Sequence, residues 1–211
     1  MVDVFNVGIS ALVASQRQLS TTGHNIANVN TDGYSRQRVE QSQRAPQFAG
    51  NGFIGKGVSI TTIERLADNF LTSQVRTATT NVAESDAFLK LSTLVDSLLG
   101  DGTLPLAVQN FFNATQDVAD DPSSIPARAV LIDNGRSLAA RFDDLNANLS
   151  AIADNVNDEV RNAVVDINSL ANAIADINED IVKALGTSQG QPPNDLLDQR
   201  ERLVRELARI T

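Results

Sequence analysis

The chain has 211 residues, 42% hydrophobic but only 4% aromatic, so its core must come from Leu, Ile, Val and Ala, which suits helix seams better than deep pockets. Its 17 Lys and Arg stand against 26 Asp and Glu, and the formal charge of -9 repels nucleic acid and anionic lipid, so neither is expected as a partner. The lack of cysteine excludes a disulfide framework, a thiol nucleophile and a thiolate metal site, and nowhere do about eighteen apolar residues run together to insert in a membrane.

Residues 4–28 read as one uncapped amphipathic helix, roughly 37 Å long at about 1.5 Å per residue. Phe5, Leu12, Leu19 and Ile26 recur every seven residues, with Ile9 and Gln16 at the alternate positions. This narrow seam seeks a partner helix rather than a broad core. Gly8, Gly23 and several Ser and Thr weaken the helix, so in a free monomer it is expected to be frayed. The cluster from Asn30 to Gly33 ends it. By spacing alone, Asn25, Asn28, Asn30, Thr31, Gly33, Tyr34 and Arg36 fit an ordinary helix end and turn as well as they fit an assembly element.

Residues 36–65 change period: 38–42 and 58–63 carry β-type residues around a Gly-rich centre, which predicts a small hairpin or extended arm. Gly50 to Lys56 matches a phosphate-binding GxxxxGK, but Gly57 stands where a Mg²⁺-binding Ser or Thr belongs. A strand pattern follows instead of a helix. A plain glycine-rich turn is the better reading.

Residues 66–99 are helical again, with Ala78, Val82, Phe88, Leu89, Leu91, Val95 and Leu98 on apolar faces and a stop at Gly100-Asp101-Gly102. A shorter helix covers 106–118, anchored by Phe111 and Phe112. Asp121-Pro122 breaks it and Ser124-Ile125-Pro126 restarts the chain, Pro being well placed in a first helical turn. Between 128 and 185 apolar residues alternate in steps of four and three from Leu138 to Ala184, with a stutter at Ile152, Val156 and Val160. One helix of roughly 85 Å is expected. Residues 186–193 form a reversal, with Gly186 at the helix end. Asn194 is then expected to cap a last helix that turns Leu196, Leu203, Leu207 and Ile210 inward and carries Asp198–Arg202 and Glu201–Arg205 ion pairs. The expected fold is mainly α: an elongated antiparallel helical bundle or coiled coil, with an N-terminal amphipathic helix and a small β-hairpin or extended arm.

Catalytic chemistry finds little support in the residues. His24 is the one histidine, so no triad or multi-histidine metal site can form within one chain. The pairs Asp143-Asp144, Asp158-Glu159 and Glu179-Asp180 are helical neighbours without chelating spacing, and read as a solvated face. The triplets at Asn113 and Asn148 lie in helical patterns and read as chance glycosylation matches. No enzyme, catalytic residue, cofactor or metal is expected.

The order Asn25-Ile26-Ala27-Asn28, Asn30-Thr31, Gly33-Tyr34, Arg36 resembles the N-terminal signature of the axial proteins of the bacterial flagellum, its rod, hook and hook-associated components. Rod and hook members turn mostly to β-structure beyond about residue 60, and flagellins lack this turn. A signature turn followed by long helices, Asp121-Pro122 and the 193–200 run PNDLLDQR resembles the hook-associated members. The resemblance implies a structural subunit joining hook to filament, extracellular and exported without a cleaved signal peptide. It further implies assembly through an N-terminal helix seam of Phe5, Ile9, Leu12, Gln16, Leu19 and Ile26. Implied partners are other copies of itself in a helical ring or tube, the hook protein, a second hook–filament junction protein and a C-terminal helix of its own beyond this sequence, which is read as an N-terminal portion. The expected division is 1–35 as inner-tube helix and signature turn, 36–65 as connector and 66–211 as helical bundle. Residues 128–211 alone would equally suit a soluble coiled-coil scaffold or sensor fragment, but such a scaffold has no use for Asn25 to Arg36.

Overall fold

The computed structural model describes residues 4–100 and 102–210. Met1 to Asp3, Asp101 of the expected stop and Thr211 lie outside them. Five helices and two small antiparallel sheets follow in order: α1 Val4–Ala27, β1 Gln37–Gln43, β2 Gln47–Phe48, β3 Phe53–Ile54, β4 Val58–Arg65, α2 Asn69–Leu99, α3 Thr103–Asp120, α4 Ile125–Thr187 and α5 Asn194–Leu207. The fold is mainly α, as the periodicities require.

The chain forms two compact units, one of the residues up to Asn81 with those from Ile167 onward, the other Val82–Asp166. In the second, α3 lies along α4: Gly135 leaves room for the Phe111 ring, and Asn134 Nδ2 donates to the Asn110 carbonyl at 3.4 Å. Lys90 of α2 meets Glu159 of α4 at 2.6 Å, an exposed pair that contributes little.

The helix α4 runs unbroken for 63 residues, five to six times a usual globular helix. Ser124 opens it by accepting the Ala127 N–H at 3.3 Å, with Pro126 in the first turn. The apolar alternation is visible in its burial: Ala163, Ile167, Leu170, Ile174, Ile177 and Ala184 are half-buried and Ile181 buried, whereas Val156 and Val160 at the stutter are exposed. Two consecutive steps of four carry the stripe round the helix, and the pair there turns to solvent.

Three local expectations are corrected. Leu66 does not begin α2; its N–H donates to the Arg36 carbonyl at 2.8 Å, extending the β1–β4 pairing, and Asp68 caps α2 through the N–H groups of Phe70 and Leu71. Gly186 lies inside α4 rather than ending it. Gln189 takes the left-handed conformation at φ 55°, and Gly190 N–H returns to the Leu185 carbonyl at 3.1 Å in a Schellman-type end. Asn194 is not a side-chain cap: Pro193 occupies the cap position of α5, and the Asn194 amide reaches away to β4.

In the first unit β1 and β4 pair antiparallel from Gln37↔Arg65 to Gln43↔Val58. Thr61 is the extra residue of a bulge between Glu40↔Thr62 and Gln41↔Ile60, which twists the ribbon locally. Beyond it β2 and β3 add two further pairs at the tip. The helix α1 packs on β1 and β4.

Candidate functional site

The face that α1 turns to the hairpin is made of small and polar residues. Ser10, Ala14 and Thr21 are its buried positions. Ser10 Oγ donates to the Val7 carbonyl at 2.8 Å and accepts the Val58 N–H at 3.3 Å, tying the first helical turns to the start of β4. The close approach requires Gly57, whose φ is +83° and whose absent Cβ would overlap Ser10 Oγ.

At about 100° per residue, Ser10, Ala14 and Thr21 lie on the side of the helix opposite Phe5, Leu12, Leu19 and Ile26. Those four are 82%, 71%, 74% and 68% exposed. Ile9 and Gln16 are exposed as well. A surface helix ordinarily buries its large apolar stripe and shows its small polar face to water. Here that order is inverted.

The C-terminal end of α1 is joined to β1 by Asn25. Its Oδ1 accepts the Gln37 N–H at 2.8 Å and the Tyr34 hydroxyl at 2.7 Å, and its Nδ2 donates to the Gln37 carbonyl at 2.9 Å. One side-chain amide thus satisfies both backbone groups of the first strand residue, as a neighbouring strand would. Asn28 Nδ2 donates to the His24 carbonyl at 3.0 Å, Thr31 Oγ1 donates to Asn28 Oδ1 at 3.2 Å, and the Tyr34 N–H returns to the Thr31 carbonyl at 3.2 Å. Gly33 turns the chain at φ +76°. The structure therefore brings Asn25, Asn28, Thr31, Gly33 and Tyr34 into one closed turn. Asn30 is exposed, and Arg36 contributes its carbonyl to Leu66 while its exposed side chain lines a groove.

That groove, about 750 Å³, lies between the last turns of α1 and β1, with Thr22, Ile26 and Val29 on one wall and Tyr34, Arg36 and Val39 on the other. It is continuous with the exposed seam through Ile26.

The helix α5 closes the turn from the far side. Asp198, 7% exposed, accepts the Ser35 N–H at 2.9 Å through one oxygen and pairs with Arg65 at 2.9 Å through the other. Asn194 Nδ2 donates to the Ile63 carbonyl at 2.7 Å, and Asp195 Oδ1 accepts Gln37 Nε2 at 2.9 Å with His24 Nε2 at 3.5 Å. Arg202 Nη1 donates to the Asp32 carbonyl at 3.4 Å, and the side chains of Arg202 and Arg205 pack close against Gly33. His24 also meets Tyr34 edge to face, its ring centre 5.4 Å away.

The Asp198–Arg65 contact takes the place of the Asp198–Arg202 pair expected along α5. Neither Asp198–Arg202 nor Glu201–Arg205 is among the salt bridges of the described residues. A buried carboxylate needs donors on every lone pair it turns inward, and Arg65, held in a paired strand, meets that need without the entropy cost of ordering a surface side chain. Sequence reasoning did not identify Ser10, Arg65, Asn194, Asp195 or Asp198 as site residues. The available signal was Asn194 and Asp198 four apart on one face of a helix whose other face is leucine.

The Tyr34 hydroxyl is held above its ordinary pKa of 10.0, first by burial and then by the nearby carboxylates of Asp195 and Asp198. Both carboxylates favour the neutral phenol, which is the form that donates to Asn25. Among the described residues no three His, Cys, Asp or Glu side chains gather where they could hold a metal ion, and no helix is long and apolar enough to cross a membrane. What the arrangement provides is a hydrogen-bonded junction of helix, hairpin and turn presenting an apolar stripe.

Residues 92–211 match the "Flagellar hook-associated protein FlgK helical domain" family, and residues 5–34 match the "Flagella basal body rod protein" family. The chain is 33% identical over its full length to flagellar hook-associated protein 1 of Salmonella typhimurium and 32% identical to that of Escherichia coli. It is 32% identical over 94% of its length to the Bacillus subtilis protein of that name. It spans 38% to 41% of the length of these relatives. The chain belongs to the flagellar hook-associated protein FlgK family, with the rod-type signature of flagellar axial proteins at its N-terminus.

Proposed function

We propose that this chain is a structural subunit of the bacterial flagellum at the junction of hook and filament, assembling through the outward stripe of α1. The observation that carries this reading is the inversion of α1: its small face docks on the hairpin, and Phe5, Leu12, Leu19 and Ile26 stand exposed on the other side. A contiguous apolar stripe of this size is an interaction surface. The names of the relatives supply the context, hook association. Partner helices come from neighbouring copies, and from a C-terminal helix of the same protein where the longer relatives have further sequence; the hook protein and a second junction protein lie below and above. Residues 1–35 act as the inner-tube element, 36–65 as connector and 66–211 as the helical layer outside it. Export proceeds through the organelle's own channel. The function is mechanical and not enzymatic: long helices resist bending, while the turns at 30–36 and 50–57 accommodate two lattices.

The test is Leu12→Asp with Leu19→Asp in the full-length protein in flagellated cells. These positions are exposed, so the fold tolerates the charges while the stripe does not. Hooks without attached filaments are the expected outcome under electron microscopy; normal filaments would refute the assembly role.

A further inference from the structure

We propose that the β2–β3 tip of the connector hairpin is a basic-rimmed apolar plug that seats on the acidic helical segment, residues 66–211, of a neighbouring copy of this chain. The inference rests on the assembly reading above and adds a second contact, distinct from the α1 stripe.

The tip is a ladder of two pairs, Gln47↔Ile54 and Phe48↔Phe53, closed by Ala49 N–H to the Gly52 carbonyl at 2.9 Å. Its rings meet edge to face at 5.5 Å. So short a ladder is marginal in water, and the aromatic pair is the main interaction that holds it. Yet Phe48 is 61% exposed and Phe53 73% on one face of the ladder, and Ile54 is exposed on the other. Large apolar side chains on both faces at the end of an arm, none of them used to build a core, form a plug to be covered.

Charge selects what covers it. From Gln41 to Ile63 the chain has two bases, Arg44 and Lys56, both exposed, and no acid. Residues 66–211 carry eleven bases and twenty-two acids. The arm of one copy and the helices of another are therefore complementary, which steers their encounter and fixes their register. A hairpin on one subunit meeting helices on the next is a head-to-tail contact, the kind that propagates rings and helical tubes.

The experiment places a photo-crosslinking phenylalanine at position 53 of the full-length protein in flagellated cells, followed by isolation of flagella and mapping of the crosslinked peptide. The expected product is a dimer of this chain joined to a peptide within 66–211, lost in the Arg44→Glu, Lys56→Glu double variant. Crosslinking to lipid, to a different protein or to a peptide outside 66–211 overturns the inference, as does a dimer indifferent to the charge reversal. Absence of the protein from isolated flagella would defeat the assembly reading as well; presence with a different crosslink defeats only this one.

Discussion

Arg65 and Asp198, 133 residues apart in sequence, meet at 2.9 Å with side chains only 14% and 8% exposed, and the same carboxylate accepts the Ser35 N–H. The pair ties the last residue of β4 and the end of the signature turn to a helix from the far end of the chain. Asp198→Ala leaves the guanidinium buried without its partner, for which about 3–5 kcal/mol is the characteristic loss. Denaturant titration of the variant is expected to show a loss in that range. Arg65→Met with Asp198→Leu is expected to recover much of it, because removing both charges also removes the desolvation cost. A double variant as unstable as Asp198→Ala would mean that the Ser35 bond, not the ion pair, dominates.

Gly33 and Gly57 both sit at positive φ, and their neighbours predict different costs. At Gly33 the nearest obstacle is the end of the flexible Arg205 side chain at 2.7 Å, with Arg202 Cβ at 3.3 Å. At Gly57 it is the short Ser10 side chain, with the Val7 Cα of α1 at 3.3 Å. Alanine at either position carries roughly 1 kcal/mol of backbone strain. Gly57→Ala is expected to be the more destabilising, since Ser10 must break its bond to Val58 or α1 must lift. Amide exchange checks this: protection in α1 should fall for Gly57→Ala and be largely kept for Gly33→Ala.

The main elements follow from patterns of period 3.6 and 2, which is why five helices and a hairpin were expected where they occur. Local chemistry was less legible wherever a distant partner competed with a local rule. Asn194 satisfies every sequence criterion for a helix cap, and Asp198 for a four-residue ion pair. Both are claimed instead by β4, Ile63 in one case and Arg65 in the other. An exposed four-residue ion pair worth a few tenths of a kcal/mol yields to a buried, hydrogen-bonded one worth several times more, and a cap worth about 1 kcal/mol yields to a bond of similar size that also ties two elements together. The inversion of α1 was half legible. Its seven-residue stripe is plain in the sequence, but that Ser10, Ala14 and Thr21 form a docking face depends on the hairpin, which no helical periodicity encodes.

Tyr34 is the chain's one tyrosine, so tyrosinate absorbance reports this turn alone. Its folded pKa is raised, so above pH 10 the folded chain holds a proton that the unfolded chain has released. The sign follows: the stability tied to the neutral phenol is complete below pH 10 and is lost as pH rises through the folded value. The absorbance titration is expected to lie above that of the denatured chain, and Tyr34→Phe to remove this part of the alkaline loss. Coincident titrations in native and denatured protein would contradict the half-buried, carboxylate-flanked phenol.

Asn25 makes the sharpest single-residue prediction in the signature. Its amide supplies two acceptor bonds and one donor bond within a part-buried site, joining α1, Tyr34 and the backbone of Gln37. Asn25→Ala leaves all three partners unsatisfied, an expected loss of roughly 3 kcal/mol at about 1 kcal/mol per bond. Asn25→Asp is the more informative change, being nearly isosteric. The carboxylate still accepts from Gln37 N–H and Tyr34, but it can no longer donate to the Gln37 carbonyl and instead places a charge against that oxygen. If the amide acts by mimicking a strand edge, Asp fails nearly as badly as Ala near neutral pH and recovers when acidified enough to protonate, since a carboxylic acid regains a donor. If Asn25 serves only as a helix-end residue, Asp is tolerated at every pH. Stability of the two variants measured at neutral and at acidic pH, each against wild type, separates these outcomes.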